Sequence, residues 1–346
     1  MKKNILLLSS LLLFLVIFLG GCSSGMTPSS WFGMTADAEN AYVAGGSNVY
    51  AIDLESQAES WRFPIKQMVF AAPVLTGDGQ LLVGGYDHVL YSLDPKDASE
   101  NWQFDAAHDR YIGSPLVAGD MIFAPNSDYN LYALNLDGEL LWQFKADQSL
   151  WGSPIVDDRN VYFGSLGGHI YALDAVTGEL VWKVETDGAI LGSLVEKDGT
   201  LYASLFSGQL AAFSSRDGDL IWEQSLDSWA WGGPLLDGDS LYVGDGVGNL
   251  YSYSLGGDFR WKETLNGAIA SSPIVVDGEL AVGTDAGKVY FVSLDGKDTR
   301  SVTLEGQIFS PLLPAGAFLL ASPTEGESTV IALEAGAETW SFTPGK

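Results

Sequence analysis

A single cysteine in 346 residues removes both an internal disulfide framework and a thiolate metal cage from consideration, because each needs several cysteines. Basic residues are scarce as well. Seventeen Lys and Arg stand against 44 Asp and Glu, a formal net charge of −27 that excludes a protein held on nucleic acid by phosphate contacts. Only three histidines occur, His88, His108 and His169, and they fall at non-equivalent positions, so they read as solvated loop residues rather than metal ligands or bases. No segment shows the apolar periodicity of an amphipathic helix. A Gly-x-Ser-x-Gly elbow with triad partners is missing, and so is a phosphate-binding loop opening a helix. Asp-Gly-Asp at 217–219 and 237–239 lacks the further oxygen ligands that calcium requires, and hairpin turn chemistry accounts for it. These gaps point to a protein that is not an enzyme and holds no metal.

What the chain has is 41 Gly and 11 Trp with only 18% charged residues, the composition of turn-rich, repeated all-β architecture. Its first segment stands apart. Lys2 and Lys3 precede an apolar run from Ile5 to Leu19, which is short for a spanning helix and has the layout of a secretory signal. The run ends in Leu19-Gly20-Gly21-Cys22, which resembles the bacterial lipoprotein box. That resemblance implies cleavage of residues 1–21 and acylation of Cys22, with 22–30 as a flexible tether. Several acyl chains on one residue anchor a protein without a transmembrane helix. Cleavage would remove Lys2 and Lys3 and no acid, taking the formal charge from −27 to −29.

Tryptophans fall at 61, 102, 142, 182, 222, 261 and 340 in steps near 40, with Arg300 where another is due. Repeat 4 divides into four short stretches: Gly152–Val156, Val161–Gly164, Ile170–Asp174 and Leu180–Lys183. Each is rich in β-branched and aromatic residues and bounded by Gly and Asp turns, so each is expected to be a strand. Four strands in about 40 residues make a propeller blade. Residues 31–346 are therefore expected to form a single all-β, eight-bladed β-propeller of four-stranded antiparallel blades, with no room for a second domain.

The stretch Ala172-Leu173-Asp174-Ala175-Val176-Thr177-Gly178-Glu179-Leu180-Val181-Trp182 resembles the tryptophan-docking motif of pyrroloquinoline-quinone (PQQ) repeat propellers. The resemblance covers residues 31–343 and implies that Trp61, Trp102, Trp142, Trp182, Trp222, Trp261 and Trp340 lock each blade to its neighbour. Size, blade number and the lipoprotein box look most like the branch formed by the lipoprotein subunits of the outer-membrane β-barrel assembly machinery. Quinone-binding dehydrogenases of the wider family use calcium, a catalytic Asp and a vicinal disulfide. One cysteine rules out that disulfide, and the 39–41-residue spacing leaves no long loops for such a pocket, so quinone binding is not expected. Three departures weaken docking locally: Arg300 for Trp in repeat 7, Gly192-Ser193-Leu194 without the Pro in repeat 5, and a shortened repeat 8 around Ala335-Gly336-Ala337. No strand exchange is evident to fasten the ring.

Antiparallel blades put the A–B and C–D turns on one face and the B–C turns and D–A linkers on the other. The first face collects an acidic rim, which is either the ordinary acidity of solvated turns or a functional surface. At the opposite mouth, the position three before each strand-A Pro is held by Trp31, Phe70, Ile112, Trp151, Leu191, Trp231, Ala270 and Ile308, with Tyr111, Trp229 and Phe309 beside them. Such a ring either closes the core or binds a partner, the candidate contact residues being Trp31, Phe70, Tyr111, Trp151, Trp229, Trp231 and Phe309. The expected function is that of a lipid-anchored, extracytoplasmic scaffold with protein partners, which the resemblance identifies as a β-barrel assembly complex. Unpaired edges of the outer strands would offer β-augmentation. The alternative is a ligand-binding or sensory propeller, with a quinoprotein dehydrogenase behind both. Location follows the anchor: the outer membrane if the host has one, otherwise the outer face of the cell membrane.

Overall fold

The computed structural model describes residues 32–345; residues 1–21, Cys22, the 22–30 tether and Trp31 lie outside them. Within that range the chain forms eight four-stranded antiparallel sheets, seven built from consecutive strands and the eighth interrupted by one short strand. Blade 4 shows the unit, with strand A at Ile155–Val156, B at Asn160–Gly164, C at His169–Asp174 and D at Leu180–Glu185. Strand A is shorter than its sequence suggests. Gly152 to Pro154 run along the central axis, and Pro154 has no N–H to give a ladder. Blade 8 adds a two-stranded ribbon pairing Gln307–Ile308 with Pro323–Thr324.

The core is divided among the seams between blades. Eight apolar clusters exist, each spanning two neighbours, and they follow from the burial of strands B and C on both faces. In the seam between blades 4 and 5, for example, Tyr162, Ile170 and Ala172 meet Leu201, Ala203 and Phe213. Leu194 joins the same seam at a position where six of the other seven repeats carry Pro. Ring closure is the eighth seam: Met34, Val43, Tyr50 and Ile52 of blade 1 pack with Leu320, Val330, Trp340 and Phe342 of blade 8. No strand is exchanged between these blades among the described residues: their sheets draw only on Gly33–Pro64 and on Leu313–Phe342.

Each docking tryptophan is aimed by a bulge. In blade 4 Ala172 pairs with Trp182 and Leu173 with Leu180, leaving Val181 as the extra residue that turns the strand. The Trp182 indole then donates from Nε1 to the Ser215 carbonyl of the next blade at 2.9 Å. Trp61, Trp102, Trp142, Trp222 and Trp261 make the same bond to Pro95, Leu136, Ala175, Leu255 and Leu294. Trp340 does not: its ring is buried in the closing seam and its Nε1 has no hydrogen-bond partner among the described residues. Blade 7, which carries Arg300, pairs Phe291 with Arg300 and Val292 with Thr299 and has no bulge.

The bulge also bears on the β-augmentation expectation. An extra residue near the start of strand D kinks the outer edge in seven of the eight blades and confines the regular edge to the residues after it, Trp182 to Glu185 in blade 4.

Candidate functional site: the apolar mouth of the axial channel

The linkers from strand D to strand A bring a small-residue step from every blade to the axis. Neighbouring inner backbones lie so close there that a Cβ on Gly152 would run into the Gly192 carbonyl, and one on Gly192 into the Gly233 amide. This close approach narrows the channel and leaves a cavity of about 410 Å³ above it, lined by residues of all eight blades. The lining is Gly, Ala, Ser, Pro and large apolar side chains, with no ionisable group among the described residues.

The larger side chains sort into two layers. Val69, Tyr111, Leu150, Ile190, Ile269 and Ile308 form the lower one and are fully buried. Tyr111, Ile190, Ile269 and Ile308 rest on the glycine that ends strand B of the preceding blade, Gly84, Gly164, Gly244 and Gly283. Tyr111 is therefore a core residue and not a contact residue, a correction of the sequence expectation; its hydroxyl is buried without a partner among the described residues. Ile308 belongs to this layer too. The linker into blade 8 is one residue shorter, so Phe309 takes the mouth position that spacing from Pro311 assigns to Ile308.

Phe70, Trp151, Trp229, Trp231 and Phe309 line the cavity as the upper layer. Phe70 is nearly covered, at 4% exposure, because its ring packs on Tyr86 with centroids 4.5 Å apart. The aromatic density is uneven around the ring. Trp151 of blade 4 reaches Trp231 of blade 6 at 6.2 Å, and Trp229 meets Trp231 edge-on at 6.3 Å. Phe206, in the B–C turn of blade 5, touches both Trp229 and Trp231. Phe206 and Tyr86 were missed by sequence reasoning. Their signal was an aromatic at a turn position that holds Ser127, Leu166, Gly246 and Asp285 in blades 3, 4, 6 and 7.

Polar side chains on this face are engaged in fixing turns. Asp147 accepts from the Ser165 and Tyr171 hydroxyls, both at 2.8 Å, and His169 Nδ1 lies 2.6 Å from its Oδ2. Burial would raise the Asp147 carboxyl, but these donors and the His169 contact outweigh it and hold the group below its ordinary value. His169 is thus the first residue of a strand, packed on a carboxylate, and not the solvated loop residue expected. His88 occupies a B–C turn with φ 73°, and exposed His108 donates its backbone N–H to Asp128. No group of three or more His, Cys, Asp or Glu among the described residues could hold a metal.

The fold recurs in known proteins. The family described as outer membrane protein assembly factor BamB matches over residues 45–153, 135–225 and 206–343. BamB from Moraxella catarrhalis has a similar structure, with a TM-score of 0.74 at 20% identity over 86% of this chain and 94% of that one. The computationally designed Ika8 protein is similar as well, with a TM-score of 0.78 at 13% identity over 88% and 96% of the two chains. At such identities the likeness is one of fold. No curated protein sequence matches.

Proposed function

The chain belongs to the outer membrane protein assembly factor BamB family, and on that premise we propose that it is a non-catalytic, lipid-anchored scaffold that captures protein partners at the mouth of its channel. The observation that carries this reading is the aromatic cluster of Trp151, Phe206, Trp229 and Trp231, gathered on blades 4 to 6 beside an uncharged cavity. Aromatics of this kind, half-exposed and held by their neighbours, are the anchors on which interface energy concentrates. Acylation of Cys22 would hold the disc at a membrane surface outside the cytoplasm, the outer membrane where the host has one, and the partners would be components or clients of a β-barrel assembly complex.

Quinone chemistry fits poorly. Pyrroloquinoline quinone carries three carboxylates, and the described lining has no Lys, Arg or His to balance them. The residues at this mouth do not fit that cofactor, and we assign no reaction to the site. A small uncharged ligand remains the second reading, because about 410 Å³ of mostly apolar space is of ligand size. In-cell crosslinking followed by capture in mild detergent separates the two. Recovery of a β-barrel insertase with companion lipoproteins supports the scaffold; recovery of no protein partner favours the ligand-binding propeller.

A further inference from the structure

Leu140 and Leu141 in blade 3, Leu180 and Val181 in blade 4, and Leu220 and Ile221 in blade 5 occupy the start of strand D and are 44–54% exposed. Phe259 continues the series in blade 6 at 59%, followed at the second position by Arg260, whose guanidinium pairs with Asp239. The same two positions hold Glu59 and Ser60, Glu100 and Asn101, and Glu338 and Thr339 in blades 1, 2 and 8, while blade 7, without the extra residue, has Thr299 alone. Exposed apolar pairs therefore form one arc over consecutive blades, on the side of the disc opposite the mouth. An arc of that kind exceeds the scattered exposure normal for a soluble surface.

A second pattern borders it. The residue immediately before each apolar position is Glu139, Glu179, Asp219 and Asp258, all exposed. None of these four carboxylates enters an ion pair among the described residues, although seven such pairs exist elsewhere. The arc is thus apolar, with an unneutralised acidic border repeated once per blade. From the bulge it follows that contact is made by side chains, because Leu141, Val181 and Ile221 are the extra residues that break the strand edge.

We infer that the outer rim of blades 3 to 6 is a second docking surface, for a partner segment whose apolar face is bordered by lysine or arginine. Charge selects this occupant. A second copy of the chain brings the same acidic border and a formal charge of −27, and an anionic lipid surface is repelled for the same reason. This surface is separate from the mouth and does not depend on what the mouth binds.

The test uses the full chain and an 18-residue amphipathic peptide with a leucine face and lysine borders, titrated by fluorescence anisotropy. The triple variant Leu141→Ser, Val181→Ser, Ile221→Ser is expected to bind at least about tenfold more weakly, the loss of roughly 1.4 kcal/mol of apolar contact. The variant Glu139→Gln, Glu179→Gln, Asp219→Gln keeps the apolar arc and is expected to lose most of the salt dependence of binding. Melting curves check that both variants are folded. Should the serine variant be unfolded, Leu141→Ser alone against Ser60→Leu in blade 1 gives the same comparison. Equal binding by the parent and the folded serine variant would overturn the inference, as would equal affinity for a peptide with glutamate borders.

Discussion

The guanidinium of Arg300 lies 3.9 Å from the centroid of the Phe291 ring. In the other blades the row across the sheet puts a small strand-C residue before the tryptophan, as in Tyr162-Ala172-Trp182 and Tyr242-Ser252-Trp261. Blade 7 inverts the sizes, with Ala281, Phe291 and Arg300, so the cation covers the ring and also reaches Glu279 Oε2 at 2.6 Å. Arg300→Trp alone is expected to give no gain in melting temperature, because Phe291 fills the space and the bulge is missing. Combining it with Phe291→Ala should recover part of the docking, and a melting temperature that rises with the single substitution would refute this account.

Indole N–H groups distinguish the seams. Trp182→Phe loses the bond to Ser215 and is expected to cost about 1–2 kcal/mol. Trp340→Phe removes a buried donor that has no partner, so it should be neutral or slightly stabilising. Urea unfolding of the two variants measures the difference, and equal losses would count against it.

The C–D turns require a left-handed residue, and most blades supply glycine. A Cβ on Gly178 would strike the Trp142 ring, so Gly178→Ala is expected to destabilise by about 1–3 kcal/mol. Ala98 adopts φ 60° at the same turn position, and Ala98→Gly should be neutral or stabilising by up to about 1 kcal/mol. Thermal unfolding of the pair shows whether the signs are opposite.

Burial, aided by donation to Asp157 Oδ2 at 2.7 Å, pushes the Tyr162 hydroxyl up to about 12. The folded state keeps this proton to a higher pH than the unfolded chain, whose tyrosines titrate near about 10. The stabilisation is complete below that value and is lost as pH rises toward the folded one. Tyr162→Phe should therefore flatten the fall in melting temperature over that interval, and an unchanged slope would exclude the hydroxyl as a contributor.

Double replacement of Trp151 and Trp231 by Ala is expected to weaken partner capture more than it lowers the melting temperature, since both rings are only partly buried. A large stability loss with unchanged capture would assign them to the core.

The repeat and its blade count were legible because turn chemistry and the tryptophan spacing are local signals. The division of the mouth into two layers was not. Tyr111 and Trp151 look alike as large apolar residues near the end of a linker, and only the seat on Gly84 separates the buried ring from the half-exposed one. Ile308 misled for a related reason: counting back from Pro311 assumes a linker of constant length, and this one is a residue short. His169 was misread because its partner, Asp147, lies in the preceding linker and no sequence spacing announces the contact.

The kinks in the outer strands bear on crowding. A disc with eight regular, open sheet edges would invite its copies to zip together side by side, as edge strands do when nothing interrupts them. Here the outer strands of seven blades are broken by one surplus residue, and every copy carries the same strong negative charge. Many such discs would stay separate at high local concentration, free to meet something other than themselves.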